Sequence, residues 1–363
     1  MEICEISVLP LAPVWKGKLH AAGYRTVEDV THTQPISISK VTGLSLEEVE
    51  CVLEVVERAR NQKVRMWTGW ELRDRESEGR AIMTFCEQLD VALGGGANCG
   101  SLTEICGAPG SGKTQLCMQL VCDVRIPHVF GGLEGEAVYI DTQGGVVIER
   151  LVSMATATIQ HCQQIAAGET DQYVVAALSE MSVDRLLSGI HILSCTTHIQ
   201  LLAIISQLPH FLHAHRKVQL VVVDSISFHF RSSFEDLSLR TRVLTNLAQS
   251  LQSCARKFNI AVVVTNQMTT RVSEDGARVV PCLGESWAHA CTTRLLLQGS
   301  GYAFLLKSPT NKQTLAHFQI TESGIRDVAS DSNNVLERDV DSTCIGKMED
   351  MNMENPTKRQ KVS

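Results

Sequence analysis

The chain has 363 residues, 44% apolar and 20% charged, enough for two or three domains and too apolar to be disordered throughout. Its 33 lysines and arginines against 40 aspartates and glutamates give a net charge of −7, which excludes a protein that coats duplex DNA by bulk electrostatics and restricts any nucleic-acid contact to local patches. Aromatic residues are only 5%, which excludes an extensive base-stacking or carbohydrate surface.

Residues 1–60 read as a small helical domain. Val14, Leu19 and Ala22 fall near helical spacing and stop at Gly23. Thr26 is placed to cap a second helix, and Ser37–Val41 forms a third, ended by Gly43. Ser45-Leu-Glu-Glu48 is a capping box that opens a longer helix with Val49, Val52, Leu53 and Val56 on one face. Short helices joined by a glycine turn suit a helix-hairpin-helix bundle, which either docks a protein or offers helix N-termini to a phosphate. The charge count over residues 1–60, 6 basic against 9 acidic, favours docking.

Residues 61–80 carry Trp67, Trp70 and a charged run and read as a linker. From 81 to 328, short Val/Ile-rich runs alternate with helical stretches, the pattern of an α/β domain with a mainly parallel sheet. The expected strands are Leu102–Cys106, Ala137–Ile140, Ile190–Ser194, Leu220–Val223 and Ile260–Thr265. Residues 329–363 lose periodicity and read as a disordered tail. The tail ends in a small basic cluster, Lys358-Arg-Gln-Lys361, either an import signal or a solvated end.

Thirteen scattered cysteines, none in a Cys-x-x-Cys pair, argue against a disulfide framework or a cysteine zinc site and for small core residues in a reducing compartment. Met1–Pro10 has no basic flank and is not expected to be a secretory signal. The longest apolar runs are strand-sized, so no membrane association is expected. These features leave the cytosol or the nucleus as the expected location.

The strongest chemical signal is Gly107-Ala108-Pro109-Gly110-Ser111-Gly112-Lys113-Thr114. It matches the phosphate-loop pattern in full, between an apolar strand and an apolar helix. Chance matches occur in roughly one chain in a hundred of this length. The glycines let backbone amides cradle phosphates of ATP, Lys113 reaches the outer phosphates, and Thr114 ligates Mg²⁺. Leu220-Val-Val-Val-Asp224 is a buried strand ending in a carboxylate, where such proteins hold Mg²⁺.

Gly94-Gly-Gly96, the segment Thr103–Cys117, Tyr139-Ile-Asp-Thr142, Val223-Asp-Ser225, Thr265-Asn-Gln267 and Ala288-His-Ala290 together resemble the RecA-type recombinases of eukaryotes. The resemblance spans about residues 10–328. Cys117-Met-Gln-Leu120, Phe228-His-Phe-Arg231, Gly284-Glu-Ser-Trp287 and Lys307-Ser-Pro309 resemble most closely the C-type paralogue branch. It implies a RecA-type core and a part in homologous-recombination repair and meiosis. The implied partners are other recombinase paralogues in heteromeric complexes, the strand-exchange recombinase, and single-stranded or branched DNA. Residue by residue, it implies that Gln267 senses the γ-phosphate, Arg150 packs near adenine, and His289 reports on nucleotide at a subunit interface. Two loops, about Phe228–Asp236 and Met268–Gly284, match the family's DNA-binding loops, with Arg231, Arg271 and Arg278 as phosphate contacts.

Three departures qualify it. Gln143 stands where the family has a catalytic glutamate; glutamine orients water but accepts no proton, so binding should survive while turnover suffers. The linker lacks the Phe-x-x-Ala peptide with which the filament-forming recombinase docks on its neighbour. Lys307-Ser-Pro309 stands where that recombinase has an acidic residue over a neighbour's nucleotide, a position where Pro309 can still cap. The reading is an ATP-binding assembly subunit. The alternatives are a competent DNA-dependent ATPase working by turnover, or a RecA-fold helicase or signalling ATPase.

Overall fold

The computed structural model describes residues 5–61, 68–71, 73, 79–231, 234, 236–273, 276–299 and 301–328. The chain divides into two compact units, Met1–Glu78 and Gly79–Ser363.

The first unit packs helices Pro13–Ala21, Val27–Thr31, Pro35–Thr42 and Leu46–Asn61. Thr26 caps the second: its hydroxyl accepts from the Asp29 amide and the Asp29 carboxylate accepts from the Thr26 amide. The third begins at Pro35, two residues before the expected Ser37, because proline suits the first helical turn. It ends where Gly43 turns left-handed at φ 65°. Ser45 and Glu48 form the second capping box, at 3.2 and 2.9 Å. Ile6, Leu19, Val30, Ile38, Val49 and Val52 close this unit's core. In the linker Trp70 is exposed, with the Arg73 guanidinium 5.2 Å above its ring. Trp67, the tail 329–363 and its basic cluster lie outside the described residues.

The second unit is built on an eight-stranded sheet. Numbered in chain order, its strands are β1 Leu102–Gly107, β2 Glu136–Asp141, β3 Ile190–Ser194, β4 Val218–Asp224, β5 Ala261–Asn266, β6 Thr293–Gln298, β7 Tyr302–Lys307 and β8 Leu315–His317. Their spatial order is β8-β7-β6-β1-β5-β4-β2-β3. The six strands β1 to β6 run parallel, and β7 and β8 continue antiparallel from β6. Both faces of the parallel part are covered, except along the edge strand β3, where Ile192 and Leu193 are exposed. Alternate residues divide between two cores: Leu220, Val222, Ala261 and Val263 pack toward helices Lys113–Asp123 and Ile148–Ile165. Val221, Val223, Val262 and Val264 pack toward His198–Ala214 and Leu237–Phe258. Among the described residues no helix is long and apolar enough to cross a membrane.

This topology brings the C-terminal ends of β1, β2, β4 and β5 to one edge of the sheet. Asp141 lies beside Asp224, and Cys106 beside Asn266, in the strand register. Open parallel sheets bind ligands at that edge.

Candidate functional site

The phosphate loop turns between β1 and the helix that begins at Lys113. Glycine is required at two of its positions by geometry. A Cβ on Gly107 would collide with the Ser111 hydroxyl and the Leu297 carbonyl, and Gly112 sits at φ 99° against the Ile320 side chain. The Lys113 ammonium donates to the carbonyls of Gly107 (2.9 Å) and Ala108 (2.8 Å), so it stands at the mouth of the loop. Burial lowers its pKa, and the Asp224 carboxylate opposes that shift.

Asp224 is 6% exposed and organises the centre of the site. Its Oδ2 accepts from the Thr114 hydroxyl at 2.6 Å and the Tyr139 phenol at 2.7 Å, and its Oδ1 accepts from the Thr265 hydroxyl at 2.5 Å. Burial pushes the Tyr139 phenol far above its usual range, which keeps it a donor. The two residues expected to hold a metal therefore touch directly. Oxygen donors of this kind, a hydroxyl and a carboxylate, suit Mg²⁺ shared with phosphates.

Gln143 sits on a loop shaped by Asp141. One Asp141 oxygen accepts from the amides of Gln143, Gly144 and Gly145 at 2.8–3.2 Å, and the other from Val146 at 3.1 Å. The Gln143 side chain donates to the Ser225 hydroxyl at 2.6 Å and accepts from Gln267 Nε2 at 3.5 Å. Gln267 in turn accepts from the Arg231 guanidinium at 2.7 Å. A continuous polar chain thus runs from the strand end beside Asp224, through Gln143 and Gln267, to an arginine of the loop that follows β4.

Arg150 is held by Gln115 Oε1 at 2.7 Å, by the Thr321 carbonyl at 2.7 Å and by the Glu322 carbonyl. It joins the phosphate-loop helix to the hairpin Gln319–Thr321/Gly324–Arg326. His289 and Pro309 are placed elsewhere. Thr293 aligns with Thr103 and Arg294 with Lys307, so both residues flank the start of β6, about 13 Å along the strands from the phosphate loop. They do not line the nucleotide site of their own chain.

The segment after Gln267, expected to be a loop, is largely a two-stranded ribbon, Met268–Ser273 against Gly276–Pro281. Val272, Val279 and Val280 supply the strand propensity that a loop reading overlooks. Arg271 and Arg278 face each other across it, and Arg271 also meets Glu285 at 3.4 Å. Sequence reasoning passed over the base of this ribbon. There the fully buried Glu104 of β1 accepts from Asn266 (2.7 Å) and Trp287 (2.9 Å) and pairs with Arg294 at 2.5 Å. The signal was a lone glutamate within an apolar strand, which demands a buried partner.

A phosphate loop, a hydroxyl–carboxylate pair at the strand ends and this strand order define a P-loop nucleotide-binding protein of RecA type. Residues 75–328 match the Rad51 family, to which the chain belongs. It is 45% identical over 338 residues to "DNA repair protein RAD51 homolog 3" of Cricetulus griseus, covering 90% of this chain and 92% of that protein. It is 41% identical to the Dictyostelium discoideum protein of the same name, over 68% of this chain and 65% of that one. Against "DNA repair and recombination protein RadA" of Aeropyrum pernix it is 32% identical, over 90% and 98% of the two chains.

Proposed function

We propose that this protein is an ATP-binding subunit of the machinery that repairs DNA by homologous recombination. It holds ATP·Mg²⁺ through Lys113, Thr114 and Asp224. It joins other paralogues of its family in heteromeric complexes that assist the strand-exchange recombinase on single-stranded or branched DNA, in the nucleus. The observation that carries the nucleotide assignment is the direct bond between Thr114 and Asp224 under a complete phosphate loop.

The nucleotide acts here chiefly as an assembly ligand. Bound ATP stabilises the folded, interface-competent form by mass action. Gln143 leaves no carboxylate base at its position, so the ATP-bound state is long-lived. His289 and Pro309, distant from this chain's own loop, fit a role beside a neighbouring subunit's nucleotide. The test is equilibrium binding of a fluorescent ATP analogue to the full chain. Lys113→Ala should weaken binding by at least about a hundredfold, since it removes a charge-assisted contact to phosphate. Unchanged affinity would overturn the nucleotide assignment.

A further inference from the structure

Outside the nucleotide site, one cluster of side chains brings together donors of a different chemistry. Glu136 begins β2, His191 is the second residue of the edge strand β3, and His215 caps the helix His198–Ala214. The register explains their meeting. His191 aligns with Val138, and strand alternation puts Glu136 on the same face as Val138. Val138 belongs to the core that this helix covers, so the end of the helix delivers His215 to the same corner.

We propose that Glu136, His191 and His215 form a zinc site. Their ligand atoms all lie within 4.8 Å of one another. His191 Nε2 is 3.1 Å from Glu136 Oε2. Two ligands of a tetrahedral zinc, each about 2.0–2.1 Å from the ion, stand roughly 3.3 Å apart, so this pair is already spaced for it. The third ligand, His215, is exposed at the end of the helix. Its ring is steadied by Phe211, stacked on it at 4.1 Å, which also meets His191 edge-on at 5.7 Å. The two imidazoles are inclined at 64° rather than stacked, which lets their nitrogens converge.

Charge and chemistry agree with this occupant. Two imidazoles and one carboxylate form a borderline-soft set that suits zinc better than magnesium. The C-terminal end of a 17-residue helix adds its negative pole to the Glu136 carboxylate. Three protein ligands leave a fourth position to water. The site lies at the opposite end of the strands from Asp141 and Asp224, about 17 Å away by strand rise, so it is separate from the Mg²⁺ position. Its structural effect is to tie the sheet's outermost strand to its neighbour and to the covering helix.

The experiment uses the full chain, freed of metal by a chelator and held in excess Mg²⁺ without nucleotide. Zinc stoichiometry is measured by elemental analysis, affinity by titration, and the melting temperature at rising zinc concentration. One zinc per chain and a melting temperature that climbs with zinc are expected. His215→Ala changes an exposed residue and should leave the circular dichroism spectrum unaltered, yet weaken zinc by at least about tenfold. Loss of an outer partner alone costs that much in metal sites. His191→Ala should do the same. If the wild type takes up no zinc under these conditions, or either histidine variant binds it as tightly as the wild type, the site does not exist as proposed.

Discussion

Gln143 meets its neighbours through an amide that both donates and accepts, toward Ser225 and Gln267 respectively. A glutamate of the same length would keep the acceptor toward Gln267, and the Ser225 hydroxyl can turn to donate. The loop is held independently by the Asp141 carboxylate, so its geometry should persist. What changes is charge and basicity. Gln143→Glu should raise ATP turnover at least about tenfold, a conservative share of the ~10²–10⁴ that a positioned base contributes. ATP affinity should hold or fall slightly. Wild-type turnover equal to that of Gln143→Glu, alone and in complex, would sink the slow-hydrolysis reading. A second residue speaks through pH. Burial pushes the Asp90 carboxyl up to about 6, although its Oδ1 accepts from the Thr84 amide. Its folded pKa exceeds its unfolded value of 3.8, so the native state binds the extra proton between those values. This group's contribution is therefore most favourable at low pH and declines as pH rises toward 6. Asp90→Asn keeps the acceptor and removes the titration. Denaturant unfolding should show wild type losing stability relative to this variant between pH 4 and 6, by at most about 1.4 kcal/mol per pH unit. A constant difference across that range would refute the assignment.

Elements differed in how far their residues announced them. Four of the five expected strands were legible because runs buried on both faces have little alternative; the edge strand Ile190–Ser194 keeps its expected bounds although largely exposed, three others are extended, and Ile260–Thr265 is shifted by one residue to Ala261–Asn266. β6 and β7 were not legible. Leu-rich segments such as Thr293–Gln298 and Tyr302–Lys307 suit a helix by propensity, and only sheet pairing, β6 with β1 and β7 with β6, makes them strands. The phosphate loop and Asp224 were readable from local pattern and order. The partners Thr265 and Glu104 were not, because their roles come from strand register rather than from neighbours in sequence. The ribbon after Gln267 illustrates the same limit and carries its own expectation. Arg271 and Arg278 lie directly opposite on the ribbon, with the Glu285 carboxylate 3.4 Å from Arg271. Arg231 reaches Gln267 at the ribbon's base. With so few cations and a net charge of −7, binding to single-stranded DNA should have a shallow salt dependence. The slope of log K against log salt should correspond to about two to four phosphates at ~0.7 each. Replacing Arg271 and Arg278 together by Gln should lower that slope by about 1.4. A steep wild-type slope, or one indifferent to the double replacement, would remove the ribbon from the DNA-binding surface.

At the scale of the whole molecule, the two units have separate hydrophobic cores. The helical unit closes on residues between Ile6 and Val56. Among the described residues, the second unit's clusters draw on residues between Ile82 and Ile325. Every group assigned to this chain's own nucleotide site, from Gly107 to Gln267, belongs to the second unit. A cut at the boundary between Glu78 and Gly79 should therefore remove no core residue of the larger unit and no nucleotide contact. A fragment beginning at Gly79 should fold cooperatively and bind the fluorescent ATP analogue within about threefold of the full chain, a difference of under ~1 kcal/mol. Its melting temperature should rise with ATP concentration as the full chain's does, because ligand that binds only the folded state stabilises it by mass action. Partner binding separates the units' roles: capture of family paralogues that depends on the helical unit should be lost in the fragment while ATP affinity stays. A fragment that fails to fold, or that folds and loses ATP binding more than about tenfold, would show that the helical unit completes the nucleotide domain rather than serving beside it.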